Sequence, residues 1–217
     1  MPIIKLQKDR ASKTICFVHI PKTGGTSVVD FFHSLGATSY LDSQGNGYRP
    51  TLKCPPQHFH YQILDAIIDL SKSDFSFAIV RHPVHRMLSN FFWAHRNVPS
   101  SKKLPDFTLW LKHVFNEYTK DEYVLDNHIR PQNEFVGPNL QRVYKLESGL
   151  SAILDDVLKS CGISTKRNNH LSAPQTNTSS PERKKEYLMD FVTNDTLNLI
   201  HEFYKSDYYL FNYKKSI

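Results

Sequence analysis

The chain has 217 residues, of which 40% are hydrophobic and 12% aromatic, and a formal net charge of +6. This length points to one domain with a full core over 1–217, and the composition excludes a disordered chain. The basic surplus implies anionic partners. Lys and Arg are dispersed, without a long basic run or an RNP-like aromatic motif, which argues against nucleic acid.

The start, residues 1–8, is too short and polar for a signal peptide. No stretch reaches the run of about 18 apolar residues that a membrane span needs. Ile15-Cys16-Phe17-Val18-His19-Ile20 is a β-branched and aromatic run that stops at Pro21 and reads as a strand. Lys22-Thr23-Gly24-Gly25 is then a small-residue loop, and Thr26 or Ser27 opens a helix to Leu35. Gly36 is its natural C-cap. Strand, loop and helix start together offer backbone N–H groups and a helix N-terminus to a phosphate-like anion. Gly24 and Gly25 allow close backbone approach, and Lys22 adds a point charge. The loop is not a Walker A, in which the lysine follows the second glycine, nor a G-x-G-x-x-G.

Residues 37–41 read as a short strand, and 43–56, with Gly45, Gly47, Pro50, Pro55 and Pro56, as a loop. Tyr61, Leu64, Ile67 and Ile68 mark a helix. Residues 75–80, Phe-Ser-Phe-Ala-Ile-Val, form a buried strand that ends at Arg81, the edge where open α/β sheets bind ligands. Pro83 suits a first helical turn, and Val84, Met87, Leu88, Phe91 and Phe92 give that helix its apolar face. Asp106 caps a further amphipathic helix with Phe107, Trp110, Leu111, Val114, Phe115 and Tyr118 on one side. A third core strand is expected at 143–146 and a helix at 150–161. Residues 164–181 read as a mobile loop, and helices near 182–191 and 195–205 precede an aromatic tail through Tyr208, Tyr209, Phe211 and Tyr213. Strands alternating with helices predict an α/β fold with a parallel sheet wrapped by helices. Cys16, Cys54 and Cys161 are odd in number and widely spaced, which suits a reducing compartment and no obligatory disulfide.

Pro21-Lys22-Thr23-Gly24-Gly25-Thr26-Ser27 after one strand, and the R-x-P-x-x-R-x-x-S run from Arg81 to Ser89 after another, resemble the sulfotransferases that use 3′-phosphoadenosine 5′-phosphosulfate (PAPS). The likeness is greatest to the carbohydrate branch, of which heparan sulfate 2-O-sulfotransferase is an example. It is close over 14–96 and looser elsewhere. The resemblance implies a P-loop-kinase-like α/β sandwich. It implies that Lys22, Thr23, Gly24, Gly25, Thr26 and Ser27 hold the 5′-phosphosulfate, and that Arg81 and Ser89 hold the 3′-phosphate. The reaction implied is direct in-line transfer of the sulfuryl group to an acceptor hydroxyl on a saccharide, which the basic surplus suggests is anionic. Golgi members carry an N-terminal anchor. The polar start read here leads to the expectation of a bacterial-type cytoplasmic enzyme, or a Golgi-lumen one if an anchor has been removed.

Transfer to an alcohol needs a base, charge stabilisation on the moving sulfonate, and help for the departing phosphate; Lys22 suits the last two. Among eleven histidines, Gln57-His58-Phe59-His60-Tyr61 stands out. In the heparan sulfate 2-O branch a His-x-His pair at a similar distance before the arginine motif supplies the base, so the resemblance points to His60, with His58 assisting. A neutral imidazole with a pKa of about 6.5 suits this work. Two histidines at a helix start also read as caps or solvent-facing groups. A zinc site would want a third ligand, and neither H-E-x-x-H nor C-x-x-C occurs, so no metal is expected. His128, Arg130 and Gln132 match an H-x-R-P-Q loop that lies near the acceptor in related enzymes, where Arg130 would grip a carboxylate bidentately or else pair with a local acid. Two other functions stay open: a P-loop-type nucleotide kinase, and a non-catalytic polyanion-binding module.

Overall fold

The computed structural model describes residues 2–8, 11–42, 52–99, 101–163 and 191–216. Within them lie strands β1 (Ile3–Lys8), β2 (Ala11–Val18), β3 (Thr38–Tyr40), β4 (Phe75–Val80) and β5 (Arg142–Lys145). The helices are α1 (Gly25–Ser34), α2 (Tyr61–Ile67), α3 (Pro83–Ala94), α4 (Phe107–Lys120), α5 (Leu150–Ser160), α6 (Asn194–Phe203) and α7 (Lys205–Leu210). The five strands form one sheet in the order β3-β1-β2-β4-β5. β2, β4 and β5 run parallel, as the alternation of strands and helices predicts, and β1 pairs antiparallel with both β2 and β3.

β1 has no counterpart among the expected elements, although its pattern is legible: Ile4 and Leu6 are buried while Lys5 and Gln7 face out, with the period of a strand. The last part of the chain also divides more finely than expected, because helix α6 stops at Phe203 and α7 restarts after Tyr204. The loop at 43–51, the loop at 164–181 and the helix near 182–191 lie outside the described residues, apart from Phe191.

β4 is buried along its whole length, and its alternate side chains serve two separate layers. Phe75, Phe77 and Ile79 join Ile15 and Phe17 of β2 beneath α1 and α5, which contribute Val28, Phe31, Phe32, Ile153, Leu154, Val157 and Leu158. On the opposite face Cys16, Val18, Ala78 and Val80 pack with Leu64 of α2, Phe135 and Phe211. Each such side chain contributes about 1.5–3 kcal/mol by leaving water, so the sheet is held from both sides. A third cluster binds α3, α4 and α6 through Met87, Phe91, Leu111, Phe115, Ile200 and Tyr204. The result is the expected α/β sandwich, a five-stranded sheet flanked by helices, with the C-terminal ends of β2 and β4 side by side. Among the described residues no helix is long and apolar enough to cross a membrane.

Candidate active site

β2 ends at Val18, and the chain reverses into α1 through Pro21, Lys22, Thr23 and Gly24. Two left-handed residues make the turn: Lys22 with φ 69 and Gly24 with φ 90. A lysine there is uncommon and strained. The turn is closed by the Thr23 hydroxyl, which donates to the Ile20 carbonyl at 2.9 Å. Gly24 is the N-cap of α1 and supplies no side-chain cap, so the first N–H groups of the helix suit an external anion. Packing gives Gly25 a further reason to be glycine. A Cβ there would lie 2.0 Å from His19 Nε2, so the missing side chain makes room for a buried imidazole under the first turn.

Lys22 lies among other cations. The Arg81 guanidinium donates to the Lys22 carbonyl at 3.3 Å, and Lys22 Nζ stands 5.4 Å from the centroid of the Trp93 ring. Burial, helped by Arg81 and Arg96, pulls the Lys22 ammonium down to about 8. Burial likewise lowers Arg81, opposed by Glu147 and Tyr213. Among the described residues none of Lys22, Arg81 and Arg96 forms an ion pair. Of these cations Lys22 and Arg81 stand beside the uncapped start of α1, a surrounding that suits an anion. Ser89 lies further along α3 and is half-buried, Thr26 is exposed and Ser27 is buried.

Three imidazoles adjoin Lys22. His58 meets His19 edge-on at 5.3 Å and His128 at 4.9 Å between ring centroids. His58 Nδ1 lies 3.0 Å from the Asp126 carbonyl, which can only accept, so Nδ1 carries the proton and Nε2 is left as a lone pair beside the Gln57 amide. Burial, with Lys22 and Arg86 adding to it, pushes His58 down to about 3. Burial holds His19 and His128 well below the usual imidazole value, and both lie within electrostatic reach of Lys22. His60, the N-cap of α2, has different neighbours. Burial and then Arg130 lower it, Glu122 opposes them, and its ring is 5.9 Å from that of Tyr123. Among the described residues no group of three His, Cys, Asp or Glu side chains is arranged to share a metal ion.

A family model described as "Sulfotransferase family" matches residues 9–214. The chain belongs to the sulfotransferase family. No curated protein and no solved structure matches it. The activity of that family is sulfuryl transfer, and its acceptors bear a hydroxyl.

Two of the residues expected at the acceptor are engaged elsewhere in the sulfotransferase. Arg130 is buried, with its guanidinium bound to Glu122 at 3.0 Å, to Glu134, and to Asn127 Oδ1 at 2.8 Å. The Gln132 side chain clamps the backbone of Arg81, accepting from its N–H and donating to its carbonyl, each at 2.9 Å. Of that loop, only His128 reaches the Lys22 cluster, with Nδ1 bonded to Asn90 Oδ1 at 2.8 Å. Sequence reasoning missed Arg86, which is fully buried. It donates to the carbonyls of Pro21, His128 and Arg130 at 3.1, 3.0 and 2.9 Å, tying the anion loop to the 128–130 loop. His19, Trp93 and Arg96 were also missed. His19 stood inside a strand-like run, and Trp93 and Arg96 lie beyond the motif that ends at Ser89.

Proposed function

We propose that this sulfotransferase uses PAPS and transfers its sulfuryl group to a hydroxyl of a saccharide, as one domain over 1–217 akin to the heparan sulfate 2-O branch. The reading is carried by one observation: Lys22 and Arg81, neither in an ion pair, stand beside the uncapped start of α1. The proposed roles are the 5′ end of the donor at Lys22, Thr23, Gly24, Gly25, Thr26 and Ser27, and the 3′-phosphate at Arg81 and Ser89. Gln132 supports this by holding the Arg81 backbone at the strand end.

Bound PAPS supplies the activated sulfuryl group. His60 keeps the role of base that the resemblance gives it, with His58 assisting: burial drops His58 to about 3, too weak a base for a hydroxyl at neutral pH, and the Gln57 amide stands at its Nε2. As the acceptor oxygen bonds to sulfur, the His60 imidazole receives the hydroxyl proton. As the sulfur–oxygen bond to phosphate breaks, the Lys22 ammonium faces the charge growing on the departing oxygen. Such stabilisation acts in the transition state and raises kcat. His128 and His19 wall the space around His58. Arg130 and Gln132 support the loop and leave the acceptor to other groups.

The test is thermal. Adenosine 3′,5′-bisphosphate raises Tm by mass action and ATP, without a 3′-phosphate, does so far less; Arg81→Ala erases the difference. Labelled transfer from PAPS across glycans, phenols and small alcohols identifies the acceptor. Equal stabilisation by ATP would favour a kinase, and nucleotide binding without transfer to any acceptor a binding module.

A further inference from the structure

Helix α3 ends at Ala94, and the chain turns through His95 to Arg96. The Arg96 guanidinium carbon lies 4.3 Å from the centroid of the Trp93 indole, and one nitrogen donates to the Trp93 carbonyl at 2.8 Å. The same indole meets Lys22 Nζ at 5.4 Å and the His128 ring at 4.7 Å. Trp93 is 36% exposed and Arg96 is exposed as well. Stacking on indole holds a guanidinium in place without neutralising it.

The placement along α3 separates this cation from the nucleotide. Arg81 precedes the helix and Arg96 follows it, and the helix's 12 residues span about 18 Å. The Arg81 guanidinium reaches the Lys22 carbonyl, and Lys22 Nζ and Arg96 share the Trp93 indole, so Lys22 links the two arginines. With the 3′-phosphate at Arg81 and the 5′ end at Lys22, the group to be transferred faces the Arg96 end. That end is the acceptor's side. The other cation expected there, Arg130, is already bound to Glu122 and Glu134.

We propose that Arg96, stacked on Trp93, anchors the acceptor by binding a carboxylate or sulfate group carried next to the reacting hydroxyl. This rests on the assignment of Lys22 and Arg81 to the two ends of the donor. It makes an anionic saccharide the preferred substrate, with Trp93 an exposed edge against which a sugar ring can lie.

Calorimetric titration of the full chain tests it, with and without saturating adenosine 3′,5′-bisphosphate. Three probes are used: an unsulfated heparosan oligosaccharide, its carboxyl-reduced neutral counterpart, and a sulfated form of that counterpart. The wild type binds at least one charged probe more tightly than the neutral one, and the better of the two identifies carboxylate or sulfate. Arg96→Ala weakens the charged probe about ten-fold, the scale of one charge-assisted contact, and leaves the neutral probe unchanged. Arg96→Lys recovers part of the loss, and bisphosphate affinity is the same in all three proteins. Equal wild-type affinity for charged and neutral probes, or no loss in Arg96→Ala, overturns the anchor. Weaker bisphosphate binding in Arg96→Ala also overturns it, by moving Arg96 to the donor. Failure of the wild type to bind bisphosphate counts against the donor assignment alone, because the titrations without nucleotide still judge the anchor.

Discussion

Lys22 carries the least ordinary combination of properties in the chain: a positive φ, burial, and two arginines for company. Its ammonium titrates at about 8 in the free protein, and a bound polyanion favours the charged form. Binding of adenosine 3′,5′-bisphosphate therefore takes up a proton, and its Kd rises as pH climbs through about 8. Calorimetry in buffers of different ionisation enthalpy reads the proton directly, and Lys22→Met abolishes it. The stability sign is opposite: the charged form is disfavoured in the folded state, so the penalty from Lys22 is present below about 8 and fades as pH approaches the unfolded value of 10.5. His58 and His60 separate in a second experiment. His60→Ala lowers kcat by about 10²–10⁴, as expected for a lost base, and His58→Ala costs less. A reversed order moves the base to His58.

At the scale of elements, α1 has a glycine at each end with a different duty. Gly36, at φ +81, closes the helix: its N–H donates to the His33 carbonyl and that of Ala37 to the Phe32 carbonyl. Nothing lies within 4 Å of a Cβ built there, so Gly36→Ala costs about 1 kcal/mol through backbone strain alone. Gly25→Ala drives a methyl into the His19 ring, which costs about 1–3 kcal/mol as overpacking. Only the second weakens bisphosphate binding, because it displaces the first turn of α1 and the loop before it. Urea midpoints with and without bisphosphate separate the two effects. The ends of α1 were legible in Gly36 and in the Lys22–Ser27 run, but the partner of Gly25 was not, since no local pattern says what packs against a glycine.

Across the whole molecule Arg86 is the tie between segments far apart in sequence, reaching Pro21 in the anion loop and 128–130 beyond α4, with Tyr204 of the α6–α7 junction 5.7 Å from its guanidinium carbon. Arg86→Met removes the donors of three carbonyls in the core of the site, and stability falls by roughly 3–5 kcal/mol. A urea midpoint reads the loss, and bisphosphate binding falls with it even though Arg86 is fully buried. Asp207 of α7 extends the same bracing. It accepts from the backbone N–H groups of Gln132 and Asn133 at 3.0 and 2.8 Å, while Gln132 grips Arg81.

The local signals in the sequence were enough for the strand, loop and helix around Lys22, for β4 with Arg81 at its end, for the cap at Asp106 and for Pro83 in the first turn of α3. Each depends on residues that are neighbours in the chain, where backbone sterics and hydrophobic period act directly. Packing decided the rest. Arg81 and Arg86 share one motif and only Arg81 was expected at the anion; burial against three carbonyls makes Arg86 a brace, and Arg81 stays beside Lys22. Arg130 reads in the sequence either as an acceptor group or as the partner of a local acid, and the second reading holds, with Glu134 four residues on and Glu122 eight residues back. For Arg81 and Arg86 the deciding neighbours, Lys22, Pro21 and the 128–130 segment, come from distant parts of the chain that only the folded structure brings together.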